Sequence, residues 1–277
     1  MQFMVMRRAN HNTESGSLPP ALEPGIFLQP SMGAVRLTRK GGQWSQEIGP
    51  FAARELVASL TLVEAESHVD AIDQVRNWPM TDSGAVFEIR VAGCPGGCAG
   101  FDERGTAAGT VPQRDVRLRR YIVFIRSDVL SEIDLAPSSE AVDVVNRYNE
   151  RGVREGVLLA ADGIKSSAFG SRVKFALSEI SVIDGPFKEA EELIAGYWML
   201  QAESREAAIE WAKQYPYATA GDLVLELREV LELPHYATFT PEMRREEQRI
   251  RAHMLEQELS TAISKAHSEA DKRRTGS

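Results

Sequence analysis

Cysteine is nearly absent from this chain. Its 277 residues hold two, Cys94 and Cys98, in the glycine-rich stretch Gly93 to Gly100. A C-x-x-x-C pair supplies half of the four ligands a structural zinc needs, and no histidine lies near it in sequence. It reads either as two thiols in a linker or as a reversible disulfide or shared metal between chains. Basic excess is missing as well: the net charge of −8 argues against general nucleic-acid binding, which needs a basic surface. No apolar run approaches membrane-spanning length. Met1 to Arg8 is too short for a signal-peptide core and ends in arginines, the reverse of the secretory order, so it reads as a first strand. A cytoplasmic location is the default expectation. No glycine-rich phosphate loop, metal-ligand cluster or serine nucleophile elbow is evident. Nucleotide, metal and serine-hydrolase chemistry therefore have little support, and no cofactor is expected.

What the chain does have is a long internal repeat. Ala65-Glu66-Ser67, Ala71-Ile72 and Asn77-Trp78-Pro79 recur as Ala202-Glu203-Ser204, Ala208-Ile209 and Gln214-Tyr215-Pro216. Gly49-Pro50-Phe51 recurs as Gly185-Pro186-Phe187, and Glu88-Ile89-Arg90 as Glu226-Leu227-Arg228. A unit of this length buries a core of its own and is a domain rather than a solenoid repeat. The expected division is 1–92 for the first copy, 93–117 for a Gly/Ala/Pro-rich linker, 118–233 for the second copy and 234–277 for a helical tail.

In the second copy, Tyr121 to Arg126 has the β-branched and aromatic content of a buried strand. Pro137 to Glu140 starts a helix, which Val142, Val145, Tyr148 and Val153 continue at helical spacing. Strands follow at Val157 to Ala161 and Leu193 to Leu200, with a hairpin at 172–183 between them. Ser204 caps a helix reaching about Gln214, and Leu223 to Leu231 alternates as a half-buried strand. This order is that of a ferredoxin-like α+β layer with an added hairpin.

The first copy repeats it, except that Pro19-Pro20 and Pro24 forbid a long first helix. A sheet without that helix leaves an apolar face bare, at roughly 25 cal/mol per Å². In the tail, Thr240-Pro241 caps a helix whose stripe of Ile250, Met254, Leu259 and Ile263 suits covering that face. The alternative use of the stripe is self-pairing in a homodimer.

The segment Ile183-Asp184-Gly185-Pro186-Phe187, followed by Gly196-Tyr197, Ala202-Glu203-Ser204 and Tyr215-Pro216-Tyr217-Ala218, resembles the YCII-related proteins, in particular their DGPF branch. The resemblance covers most of Tyr121 to Leu233 and, more weakly, Met1 to Val91, where Ile48 replaces the aspartate. It implies ferredoxin-like modules that pair into a dimeric α/β barrel, here as an intrachain pseudo-dimer. Relatives that look like small lyases on chlorinated hydroxyquinols use a histidine and an aspartate. DGPF members that accompany alternative sigma factors point instead to an accessory role.

The five histidines depart from the lyase pattern. None lies between Tyr121 and Leu233, so a histidine-dependent acid–base step within the second copy alone is excluded. His11 or His68 has to reach across from the first copy, and His68 is expected exposed in the first turn of a helix.

Asp184 has two readings. It closes an Asx-turn in which glycine supplies positive φ, proline fixes the next φ and Phe187 anchors the turn, or it acts in a cleft as a catalytic base. Ile48 offers a test, because isoleucine cannot make an Asx-turn. All six tyrosines lie in or just after the second copy. Tyr197 and Tyr217 are the expected ligand-binding tyrosines, whereas Tyr121 and Tyr148 suit the core. Arg172 and Lys174 share a strand face that meets an anionic group or simply solvent.

Three functions follow: a small-molecule-binding accessory protein, a lyase or isomerase on an aromatic or carbonyl compound using Asp184, and a scaffold acting through its tail helix.

Overall fold

A computed structural model describes residues 1–15, 25–78, 83–93, 114–176, 179–188, 192–216 and 222–232. Cys94, Cys98, most of the expected linker, Tyr217 and the expected tail helix lie outside these residues. The described part is a mixed α/β arrangement of two six-stranded antiparallel sheets with few helices. Met1–Leu231 is one compact unit, and Glu232–Ser277 is assigned to a second.

The first half opens with β1 (Gln2–Arg8), a single helical turn α1 (His11–Ser15) and the short β2 (Ile26–Phe27). A hairpin of β3 (Val35–Lys40) and β4 (Gln43–Ile48) follows, then β5 (Val57–Glu64), α2 (His68–Arg76) and β6 (Val86–Val91). The second half runs β7 (Arg119–Arg126), α3 (Val129–Glu132), α4 (Ser139–Arg154) and β8 (Leu158–Gly163). It closes with the hairpin β9 (Ser171–Phe175) and β10 (Ile180–Asp184), then β11 (Ile194–Ala202), α5 (Arg205–Ala212) and β12 (Leu223–Glu229). The helices start where their caps predict. Ser67 accepts from Asp70 N–H and Ser204 from Ala207 N–H, each worth about 1 kcal/mol.

The sheets do not follow the halves. One runs β10-β9-β6-β1-β5-β2 and the other β4-β3-β12-β7-β11-β8. Each half therefore lends its hairpin to the other half's sheet: β9 pairs with β6 from Ile89↔Ser171 to Val86↔Lys174, and β3 with β12 from Leu227↔Val35 to Leu223↔Arg39. Bridges at Leu28↔Val230 and Ala92↔Ile164 join the two sheets at both ends.

Strand alternation divides the core. Met4 and Met6 of β1 meet Ile122, Phe124 and Tyr197 in a cluster shared by both sheets. Phe3 and Val5 turn the other way, toward α2.

The second half's helices cover a third cluster, in which the Tyr148 ring lies tilted 4.3 Å from Trp211 and Trp198 lies 4.4 Å from Tyr215. Tyr148 O–H donates to Trp211 C=O at 2.9 Å. This packing accounts for much of the tyrosine asymmetry: Tyr121, Tyr148 and Tyr215 are all buried here.

Among the described residues α4 has no counterpart in the first half. The turn α1 corresponds to α3 instead. Asn10 accepts from Thr13 N–H at 3.0 Å as Asp128 accepts from Ser131 N–H at 2.8 Å. Where Trp198 and Trp211 pack under α4, the first half carries Thr61 and the exposed Gln74. The face expected to be bare and apolar is thus partly polar, which lowers the cost of leaving it without a helix.

Candidate acid–base site

Beside each exchanged hairpin lies a buried ion network, and the two networks match residue for residue. Glu88, fully buried, accepts from Arg90 Nη1 and from Arg172 Nε, each at 3.0 Å, with Arg8 at 3.9 Å. Glu226, also buried, pairs with Arg126, with Arg36 Nε at 3.2 Å and with Arg228 Nη1 at 3.6 Å. Burial pushes both carboxyls up, but the facing arginines outweigh it and hold them below the usual range. Arg90 reaches Glu132 of α3 at 3.3 Å, and Arg228 reaches Glu14 of α1 at the same distance.

The Gly-Pro-Phe turns sit on these networks. Arg172 lies 4.0 Å over the Phe187 ring and Arg36 lies 4.1 Å over Phe51. Ser167 Oγ accepts from Phe187 N–H, and Ser31 Oγ from Phe51 N–H, both at 3.2 Å. Gly185 N–H donates to Gly170 C=O at 2.9 Å and Gly49 N–H to Ala34 C=O at 3.0 Å.

Neither of these two glycines is among those with positive φ, contrary to the expected reason for their presence. Close approach is the reason instead: a Cβ on Gly185 would sit 1.8 Å from Ser167 O, and one on Gly49 2.0 Å from Ser31 O. The same turn thus forms with Ile48 as with Asp184. Its bonds do not require the aspartate.

The halves differ at the next position outward. Asp184 is exposed and pairs across its hairpin with Ser171, whose Oγ donates to Asp184 Oδ1 at 2.7 Å. His68 Nε2, from the start of α2, lies 3.0 Å from the same Oγ. The His68 ring packs edge-on to Phe3 at 5.5 Å, so it is half-buried rather than exposed as expected. Burial lowers its pKa, against the pull of Asp184 in the other direction, which favours a neutral ring. In the other half these three positions hold Ile48, Val35 and Arg205, a set without a proton-transfer group that titrates near neutral pH.

Residues 120–234 match the YCII-related domain. None of the curated proteins matches the chain. The YCII-related domain carries Ser171 and Asp184, and His68 comes from outside it, from the half whose sheet receives the hairpin. His68 reaches Ser171 across the exchanged hairpin, the approach from the first half that the sequence left open. Sequence reasoning raised this route but had no signal for Ser171.

The other expected site residues lie elsewhere. Arg172 is committed to Glu88 and Phe187, and Glu192 lies 4.0 Å away. Lys174 is exposed, and His11 is exposed in α1. Tyr197 is buried in the cluster between the sheets, on a different sheet from Asp184. Its cross-strand neighbour there is Asp162. Burial raises Tyr197, with Asp162 adding to the effect. Burial also pushes Asp162 up to about 6, and its Oδ1 has no partner. The matching pair in the first half is Ile26 and Leu60. Among the described residues no group of three or more His, Cys, Asp or Glu is placed to hold a metal, and no helix is long and apolar enough to cross a membrane.

Proposed function

We propose that this protein binds a small molecule beside His68, Ser171 and Asp184 and moves a proton on it, as a lyase or isomerase of an aromatic or carbonyl compound. One observation carries the reading: Asp184 has a second proton-transfer group, His68, two hydrogen bonds away, where the duplicate turn has none. In this scheme His68 takes a proton from the substrate and becomes an imidazolium, and the Asp184 carboxylate offsets its charge. The proton then returns to a different substrate atom in an isomerisation, or stays behind as a group departs in an elimination. Ser171 is only 2% exposed, and the aspartate contacts the serine rather than the histidine, so this is not a hydrolase triad.

The same reading takes the two halves as tandem copies of one module of the DGPF branch, fused into the intrachain counterpart of a dimeric α/β barrel. The exchanged hairpins, paired ion networks and matching turns support it. A cytoplasmic location goes with it.

A second reading is small-molecule binding without chemistry. It draws on a cavity of about 640 Å³ beside Arg205, lined by Gln29 and Gly33 of the first half and by Arg119, Glu203 and Glu229 of the second among others. That volume falls in the usual range for ligand sites.

A thermal-shift screen with small phenolic and carboxylate compounds, run on the native chain, His68→Gln and Asp184→Asn, tests both. A compound that stabilises the native chain but neither variant is expected. In heavy water it should gain deuterium only with the native chain. Stabilisation without exchange leaves the second reading, and equal shifts in all three proteins defeat the first.

A further inference from the structure

The Ser171 hydroxyl is the atom that touches both proton-carrying groups. It has one hydrogen to give. Asp184, as a carboxylate, only accepts, so Ser171 donates to it. The same oxygen then faces His68 Nε2 with lone pairs alone, and the hydrogen of that contact has to come from Nε2. A neutral imidazole carries one N–H. Nδ1 is left with its lone pair, and it has no hydrogen-bond partner among the described residues.

We infer that Ser171 is a positioning residue that holds neutral His68 as the Nε2–H tautomer, leaving Nδ1 as the proton acceptor of the site. The inference rests on the acid–base reading above and deepens it. Ser171 is fixed on both sides, by Ile89 of β6 and Asp184 of β10, and the ring is fixed by Phe3. When Nδ1 gains a proton, Nε2–H still donates to Ser171, so the chain of bonds persists through the transfer. Val35, at the matching position in the first half, has no hydroxyl with which to do this.

The test is imidazole nitrogen NMR on the full chain labelled with ¹⁵N-histidine, with His68→Gln identifying the His68 signals among the five histidines. At mildly alkaline pH the native ring should show a protonated Nε2 and a bare Nδ1, with an Nε2–H protected from solvent exchange. Ser171→Ala should abolish that protection and admit the other tautomer, and Ser171→Thr should restore the native pattern. An Nδ1–H ring in the native chain overturns the inference, as does a protected Nε2–H that survives in Ser171→Ala. Should Ser171→Ala fail to fold, judged by its backbone amide spectrum, Asp184→Ala decides: with no acceptor at position 184 the Ser171 hydroxyl is released to donate to Nε2, and an unchanged protected Nε2–H there also overturns the inference. No substrate is needed, so this result is independent of the deuterium-exchange assay.

Discussion

Arg172 Nε donates to Glu88 Oε2 at 3.0 Å, joining a hairpin of the second half to a strand of the first. Glu88 faces three arginines in a place closed to water. Glu88→Gln leaves those charges without their counter-ion and is expected to cost about 3–5 kcal/mol. Glu226→Gln should cost a similar amount, because its network is the match of the first. Urea unfolding followed by circular dichroism measures both, and a loss below about 1 kcal/mol in either would show that the network is not a structural lock.

Gly185→Ala and Gly49→Ala should each destabilise by about 1–3 kcal/mol, since the added methyl meets a backbone carbonyl that cannot swing aside. Asp184→Ala removes one part-buried hydrogen bond and should cost about 1 kcal/mol. The contrast separates the residue that builds the turn from the one the turn presents. Chemical denaturation of the three variants supplies the comparison.

Asp162 gives a signed pH dependence. Its folded pKa, about 6, is raised above the ordinary aspartate value of about 3.9. The unfolded chain releases this proton more readily, so the contribution is full below about pH 4 and is lost as pH rises to about 6. Its loss amounts to about 2 kcal/mol, allowing for partial contact with water. Asp162→Asn should flatten stability across that window and raise it at neutral pH relative to the native chain. Melting curves from pH 4 to 8 would expose the opposite slope if Asp162 is paired in solution.

Trp211 and Gln74 occupy matching positions on α5 and α2, and among the described residues only Trp211 has a covering helix. Trp211→Ala should cost about 3–5 kcal/mol, while Gln74→Ala should lie within about 0.5 kcal/mol of the native chain. The same denaturation assay distinguishes them.

Much of the fold was legible locally. Ser67 and Ser204 announced their helices and Tyr121 to Arg126 its strand. The reason for the glycines in Gly-Pro-Phe was not legible, because it is a carbonyl contributed by a turn 18 residues earlier. The candidate site was half legible: Asp184 stood out through its contrast with Ile48, and His68 was named beside His11 but expected to be exposed. The surroundings of Tyr197 and Arg172 were not legible, for one reason. A strand's pattern shows that two faces exist, but not what lies against each.

Sequence alone determined many of the elements, their caps, the recurring segments and the absence of histidine between Tyr121 and Leu233, because these depend on neighbours within a few residues or on composition. Only the tertiary structure decided that β9 pairs with β6 and β3 with β12, and hence that His68 and Asp184 share Ser171. Strand partners are chosen by sheet edges and buried charges that meet across more than 80 residues of chain, and no local periodicity encodes that choice.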